Sequence, residues 1–326
     1  MRTALVLGAG GTVGLAYHTG ALRALERHAG IVAHEADLII GTSAGSLISA
    51  YLRAGWTAEE LWQVAMEADS DTDGVFTPSF TTPLGLARRA LGTAYVLARS
   101  AVRLPGPRLP RALQRAFPAG MFLLAAGRQR LQAELPSTWP ERPLWLCAVD
   151  LTTGRRVVLG QRKPPKDLHA AVLASCAIPG IYQPVRIGPH TLVDGGLHSS
   201  TNLDLVLAGG PDTDDSSVPY DRVVCVAPMT FDTSRPPAAA HQLIRRLPAR
   251  QLSAEAAMVR AAGVATLLVR PSDTDVRLHG ANFMRLGGWD KIAAASYEST
   301  SRLLETRSFG DDRDDQGRGR SAATTL

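Results

Sequence analysis

A chain of 326 residues, 45% apolar and carrying a net charge of +5, is long enough for one large α/β domain or two small ones, and no internal repeat divides it. Cys147, Cys176 and Cys225 are odd in number and far apart, which excludes a disulfide framework and makes them buried thiols; neither a CxxC nor a paired His spacing offers a metal site. Only Arg2 precedes the first apolar run, glycine interrupts that run too early for a signal-peptide core, and no apolar span approaches a membrane crossing, so the chain reads as cytoplasmic or peripheral to a membrane.

In chain order, an apolar strand run at residues 3–7 breaks into Gly8-Ala9-Gly10-Gly11-Thr12-Val13-Gly14 before a helical pattern over 14–28. Glycines accept the positive φ values that aim successive N–H groups at one point, and such a nest at a helix start binds an anion. A dinucleotide-binding oxidoreductase also begins this way, but its GxGxxG spacing needs glycine where Val13 stands, and Asp37 stands at the start of its strand run rather than at its end. A second strand run, 36–40, leads into Gly41-Thr42-Ser43-Ala44-Gly45 and a helix over 43–54. This is the pattern of a nucleophile elbow, in which a sharp strand-to-helix turn lifts a Ser hydroxyl clear of the sheet edge. The plain alternative for Ser43 is a helix N-cap.

A helix over 57–68 opens on a capping box, Thr57 with Glu60. Residues 81–130 hold nine arginines and no acidic residue, so the rest of the chain is net −4, that is +5 less nine. Leucines and aromatics lie between those arginines, a composition that suits a lid or arm resting on an anionic bilayer surface; the plain alternative is a solvated helix pair packed on the sheet. No nucleic-acid-binding motif accompanies the charge. Strand runs follow at 144–150 and 155–160, a helix at 167–176, and a short strand at 191–193 that ends in Asp194-Gly195-Gly196 and so puts a carboxylate at a strand end. Residues 209–220 read as a loop, and 222–227 and 265–270 as strands. Pro228, Pro236 and Pro237 mark a surface excursion, 288–305 a helix, and 307–326 a disordered polar tail. The alternation predicts an α/β fold, a three-layer α/β/α sandwich with a mostly parallel central sheet, over one domain, 1–306.

Together the glycine loop, the Ser43 elbow and the Asp194-Gly195-Gly196 corner resemble the patatin-like phospholipases, lipid acyl hydrolases that use a Ser-Asp dyad without a catalytic His. The resemblance extends to Gly14-Leu15-Ala16, Gly20-Ala21-Leu22, Ala174-Ser175-Cys176-Ala177-Ile178-Pro179-Gly180 and Gly280-Ala281-Asn282-Phe283-Met284, and covers about residues 3–305. It implies that Ser43 is the nucleophile, Asp194 its base, and the backbone of Gly10 and Gly11 the oxyanion hole. Gly8, Gly14, Gly41, Gly45, Gly195 and Gly196 are the motif glycines. The implied reaction is hydrolysis of a lipid or other carboxylic ester, with no metal or cofactor. One departure is Val13, where the family commonly has Arg or Lys, which makes a phospholipid head group less secure than ester hydrolysis and leaves open a non-catalytic lipid-binding protein on the same scaffold. His18 and His198 are candidates for a conventional triad, and Asp150 is a bystander at a strand end.

Overall fold

The computed structural model describes residues 1–68, 82–102, 119–122, 124–208, 220–233 and 243–306. Its eight strands are β1 (Thr3–Leu7), β2 (Leu38–Thr42), β3 (Leu144–Asp150), β4 (Arg156–Leu159), β5 (Val185–Ile187), β6 (His190–Asp194), β7 (Arg222–Val226) and β8 (Ala265–Val269). They form one sheet in the order β5-β6-β3-β2-β1-β7-β8, with β4 paired to β3 off that path. The pairs β3-β2, β2-β1, β1-β7 and β7-β8 are parallel, and β4, β5 and β6 supply antiparallel pairs at one side. The mostly parallel sheet read from the sequence is therefore present.

The helices are α1 (Gly11–Ala29), α2 (Ala44–Arg53), α3 (Ala58–Glu67), α4 (Pro83–Val102), α5 (Ala125–Glu134), α6 (Leu168–Ser175), α7 (Arg246–Ala261), α8 (Asp273–His279) and α9 (Trp289–Thr306). Side chains alternate across each strand, so one strand feeds two cores. Leu5 and Leu7 of β1 join Ile39, Leu146 and Val224 under α1, α2, α3 and α9. Ala4 and Val6 join Ile40, Trp145 and Cys225 against Leu252, Ala256 and Val259 of α7. Burial on both faces explains why the central strands read as continuous apolar runs.

Sequence and structure agree closely where caps are strong. The Thr57–Glu60 capping box is formed in both directions. Asp167 caps α6 by accepting from the Ala170 N–H at 3.0 Å. The first helix starts at Gly11 rather than residue 14, and β2 runs to Thr42, past the expected end at 40. The three-residue β5 and the helices α7 and α8 had no expectation. Of the expected surface excursion, Pro228 is instead buried against the glycine loop, and Pro236 and Pro237 lie outside the described residues, as do 209–219, the tail 307–326, and 103–118 of the basic segment. Among the described residues no helix is long and apolar enough to cross a membrane.

Candidate active site

Strand register explains how residues far apart in the chain meet. Thr42 at the end of β2 pairs with Cys147 on β3, and the next β3 residue, Ala148, pairs with Asp194 at the end of β6. Ser43 and Asp194 thus leave the sheet at one level, two strand spacings or about 10 Å apart in backbone.

Ser43 has φ 53° and ψ −118°, a region L-residues rarely occupy, while α2 begins at the very next residue. The turn is possible because a glycine follows: a Cβ at Gly45 would stand 1.9 Å from the Leu7 carbonyl oxygen, where in fact the Gly45 N–H reaches the Gly8 carbonyl at 3.2 Å. Ser175, in the last turn of α6, fixes the elbow from the other side. Its Oγ accepts from the Ser43 N–H at 3.0 Å, lies 2.6 Å from Ser46 Oγ, and donates to the Cys147 carbonyl at 2.6 Å. The Cys176 thiol donates to the Ser43 carbonyl at 3.2 Å.

Asp194 is 5% exposed. Its Oδ1 accepts from the Gly196 N–H at 2.7 Å, and its Oδ2 is buried with no hydrogen-bond partner. Burial pushes the carboxyl up to about 6, against the opposing pull of the Ser43 side chain and the Gly196 N–H. The Ser43 hydroxyl is thus near enough to favour the carboxylate, although a formed hydrogen bond is absent from this resting geometry.

The glycine loop is tied to both neighbours. Ala9 N–H donates to the Ser200 carbonyl in the loop after Asp194, at 2.7 Å, and Gly8 N–H to Val226 at 2.9 Å. The Val13 N–H goes to the Phe283 carbonyl at 3.2 Å. Gly11 and Thr12 open α1, where N–H groups have no intrahelical acceptor, and among the described residues neither they nor Gly10 have a backbone acceptor elsewhere. Gly11 has φ +59°, and a Cβ on it would meet the Phe283 carbonyl oxygen at 2.4 Å. Gly11, Thr12 and Ser43 line one pocket with a cavity volume of about 170 Å³, partly open to solvent, whose lining also includes Leu47, Cys176 and Met284.

A family model for patatin-like phospholipase matches residues 5–207, a span that takes in the glycine loop, Ser43 and Asp194. This chain belongs to the patatin-like phospholipase family. Among relatives similar to it are two described as uncharacterized NTE family proteins: MT2641 of Mycobacterium tuberculosis (strain CDC 1551 / Oshkosh), 29% identical over 244 residues, and Mb2594 of Mycobacterium bovis (strain ATCC BAA-935 / AF2122/97), 30% identical over 246 residues. Each match covers 74% of this chain and 34% of the relative, so the chain spans about a third of the length of these curated relatives. Solved structures similar to it include VipD from Legionella pneumophila, at a TM-score of 0.44 and 15% identity over 94% of this chain and 67% of that one. The type III effector protein ExoU gives a TM-score of 0.41 at 17% identity, over 94% and 53% of the two chains.

Within this patatin-like frame, the remaining sequence candidates fall outside the site. His18 is fully buried with Nε2 2.8 Å from the Gly8 carbonyl, which makes Nε2 the donor; burial lowers its pKa to about 4, so it is a neutral prop beneath the loop. His198 is exposed, and its carbonyl accepts from Gln251. Asp150 pairs with His190 at 2.9 Å. Val13 is fully buried in the core under α1, so the position where the family commonly carries a cation does not face the pocket. Cys176 corrects the expectation of three buried thiols: it is half-buried and forms part of the pocket wall, with burial and the Asp194 charge holding its thiol protonated.

Two supports escaped sequence reasoning. Ser175 was visible only as a letter in a motif, and nothing in that motif points to the Ser43 N–H that it holds. The Thr12 hydroxyl, 2.7 Å from the Arg285 carbonyl and 3.2 Å from that of Phe283, clamps the 282–285 turn onto the glycine loop.

Proposed function

We propose that the chain is a serine acyl hydrolase that cleaves carboxylic esters of lipids, phospholipase A-like or lysophospholipase/esterase, with Ser43 as nucleophile, Asp194 as base and the Gly10 and Gly11 N–H groups as oxyanion hole. The observation that carries it is the pairing of a strained Ser43 at an elbow with a buried, half-satisfied carboxyl whose pKa lies near 6. Ser43 Oγ attacks the ester carbonyl carbon as its proton passes to Asp194 Oδ2, and the carbonyl oxygen takes the negative charge beside the glycine loop. Collapse breaks the bond to the alcohol oxygen, which leaves with the proton from Asp194. Water then attacks the acyl-serine, giving a proton to Asp194, and the second collapse frees the fatty acid and returns the proton to Ser43. Membership of a family of lipid acyl hydrolases supports the substrate class.

A fluorophosphonate probe should label the wild-type protein in stoichiometric amount, with the adduct found by mass spectrometry on the Ser43 peptide. Absence of labelling together with absence of ester turnover would favour the second reading, a lipid-binding protein on the same scaffold.

Peripheral membrane contact belongs to this proposal. On α4, Leu84, Arg88 and Leu91 are exposed and share one helical face, while Val96 anchors the helix against Val149 and Val193. An apolar and cationic face of this kind suits an anionic bilayer, each Arg near the surface contributing about 1 kcal/mol. Vesicles containing phosphatidylserine should therefore bind the protein more tightly than neutral vesicles, and equal partition in a sedimentation assay would remove the membrane role.

A further inference from the structure

Beyond the pocket that contains Ser43 lies a second, smaller apolar pocket with a cavity volume of about 60 Å³, also partly open, walled by α1, α2 and α3 and by Trp289 at the start of α9. Leu15, Leu47, Tyr51 and Arg130 line both pockets, so these four residues form the boundary between them. Helix α2 is the common floor. Ser43, Leu47 and Tyr51 follow at i, i+4 and i+8 on one helical face, and eight residues carry Tyr51 about 12 Å from Ser43 along the axis.

Tyr51 is placed to divide the space. Its ring packs edge-on against Trp56 with centroids 5.0 Å apart. Its hydroxyl donates to Glu134 Oε2 at the end of α5, and Arg130 Nε holds Glu134 Oε1 at 3.0 Å. A polar strap therefore crosses from α2 to α5 where the two apolar pockets meet. A nearly buried phenol needs a partner for its hydroxyl, and this partner sits on the opposite wall rather than on Tyr51's own helix. Past the strap the walls are again apolar, with Trp56, Leu61, Val64 and Ala65.

We propose that the two pockets are one acyl channel divided by Tyr51, and that the Tyr51–Glu134 strap sets the chain length the protein prefers. The inference rests on the reading of Ser43 as nucleophile. A saturated chain with bonds of about 1.5 Å at about 111° advances roughly 1.25 Å per bond, so about ten carbons reach from Ser43 to Tyr51. Medium acyl chains end against the Tyr51 ring. Longer chains must swing the ring away from Glu134 before their tails enter the second pocket, which makes them poorer substrates despite their greater apolar surface. Tyr51 is thus a specificity-determining residue, and the second pocket is a site for the distal part of a long alkyl tail.

The test is the chain-length profile of kcat/KM for p-nitrophenyl esters from butyrate to palmitate in mixed micelles, measured on the wild type, Tyr51→Phe and Tyr51→Ala. The wild type should favour octanoate or decanoate. The ratio of palmitate to butyrate rates should rise about tenfold in Tyr51→Ala, within the range that steric changes in apolar pockets produce, and by less in Tyr51→Phe, which cuts the strap but keeps the ring. Tyr51→Phe preserves the core packing, so it reports even if the alanine variant is too unstable to assay. An unaltered ratio in both variants, or a wild type that prefers palmitate, overturns the proposal. A wild type inert toward every ester and unlabelled by the fluorophosphonate probe refutes the Ser43 reading instead, and the channel proposal falls with it; normal labelling with an unaltered ratio refutes the channel alone.

Discussion

Ser43→Ala should lower ester turnover by a factor on the order of 10⁴ to 10⁶ and abolish fluorophosphonate labelling, because the acyl-enzyme route disappears and only binding and the oxyanion donors remain to assist water. The fold should survive. Alanine keeps the Cβ, fits the space of a 4% exposed side chain, and leaves untouched the Ser43 N–H contact to Ser175, which is made by backbone. Ser43→Gly separates chemistry from strain. A side chain held at φ 53° and ψ −118° costs roughly 1–3 kcal/mol, and glycine does not bear that cost. Both variants should be inactive, but only Ser43→Gly should unfold at a higher urea concentration than the wild type. Catalysis retained in Ser43→Ala would end the acyl-serine mechanism. A glycine variant no more stable than alanine would show that the elbow stores no strain.

The central sheet was legible because its chemistry is local. Strands buried on both faces appear as short apolar runs, and Gly8 and Gly195 mark the ends of β1 and β6 without any long-range knowledge, whereas Gly41 lies inside β2, which runs on to Thr42. Ser43, Asp194 and the glycine loop stand out in the sequence for the same reason, each being a strand end with its own turn chemistry. Sequence could not supply their mutual placement, which depends on β6 running antiparallel to β3 so that Asp194 falls level with Ala148. Nor could it reveal which His matters. His18 stands one turn beyond Gly14 in sequence, yet burial makes it a neutral donor to Gly8. The Tyr51–Glu134 strap spans 83 residues and joins two helices with no motif in common, so no spacing rule points to it. Helix α7 is a similar case: Pro248 lies in its first turn, a tolerated place for proline, but reads from sequence as a break.

Asp194→Asn should reduce turnover on the order of 10³-fold while making the protein more stable at neutral pH. An amide accepts no proton from Ser43, and general-base assistance is worth roughly 10² to 10⁴. The stability gain follows from the same burial that raises the carboxyl to about 6. A raised carboxyl binds its proton more tightly in the folded state than in the unfolded chain, so its favourable contribution is complete below the ordinary value near 4 and is lost as pH rises through about 6. A displacement of roughly two pH units corresponds to about 3 kcal/mol, an upper figure for what the wild type gives up by ionising this group. Asparagine is neutral at every pH and keeps an oxygen for the Gly196 N–H. The variant and wild type should therefore unfold at similar urea concentrations near pH 4, with the gap in favour of Asp194→Asn opening between pH 4 and 6 and constant above. Wild-type kcat/KM on a neutral soluble ester should rise with pH through the same interval, since only the carboxylate can take the Ser43 proton. Full turnover in Asp194→Asn would refute the base assignment. A stability gap that does not widen across that interval would refute the buried, raised carboxyl on which the base assignment depends, because an acid with an ordinary pKa near 4 would be a much weaker acceptor for a serine proton.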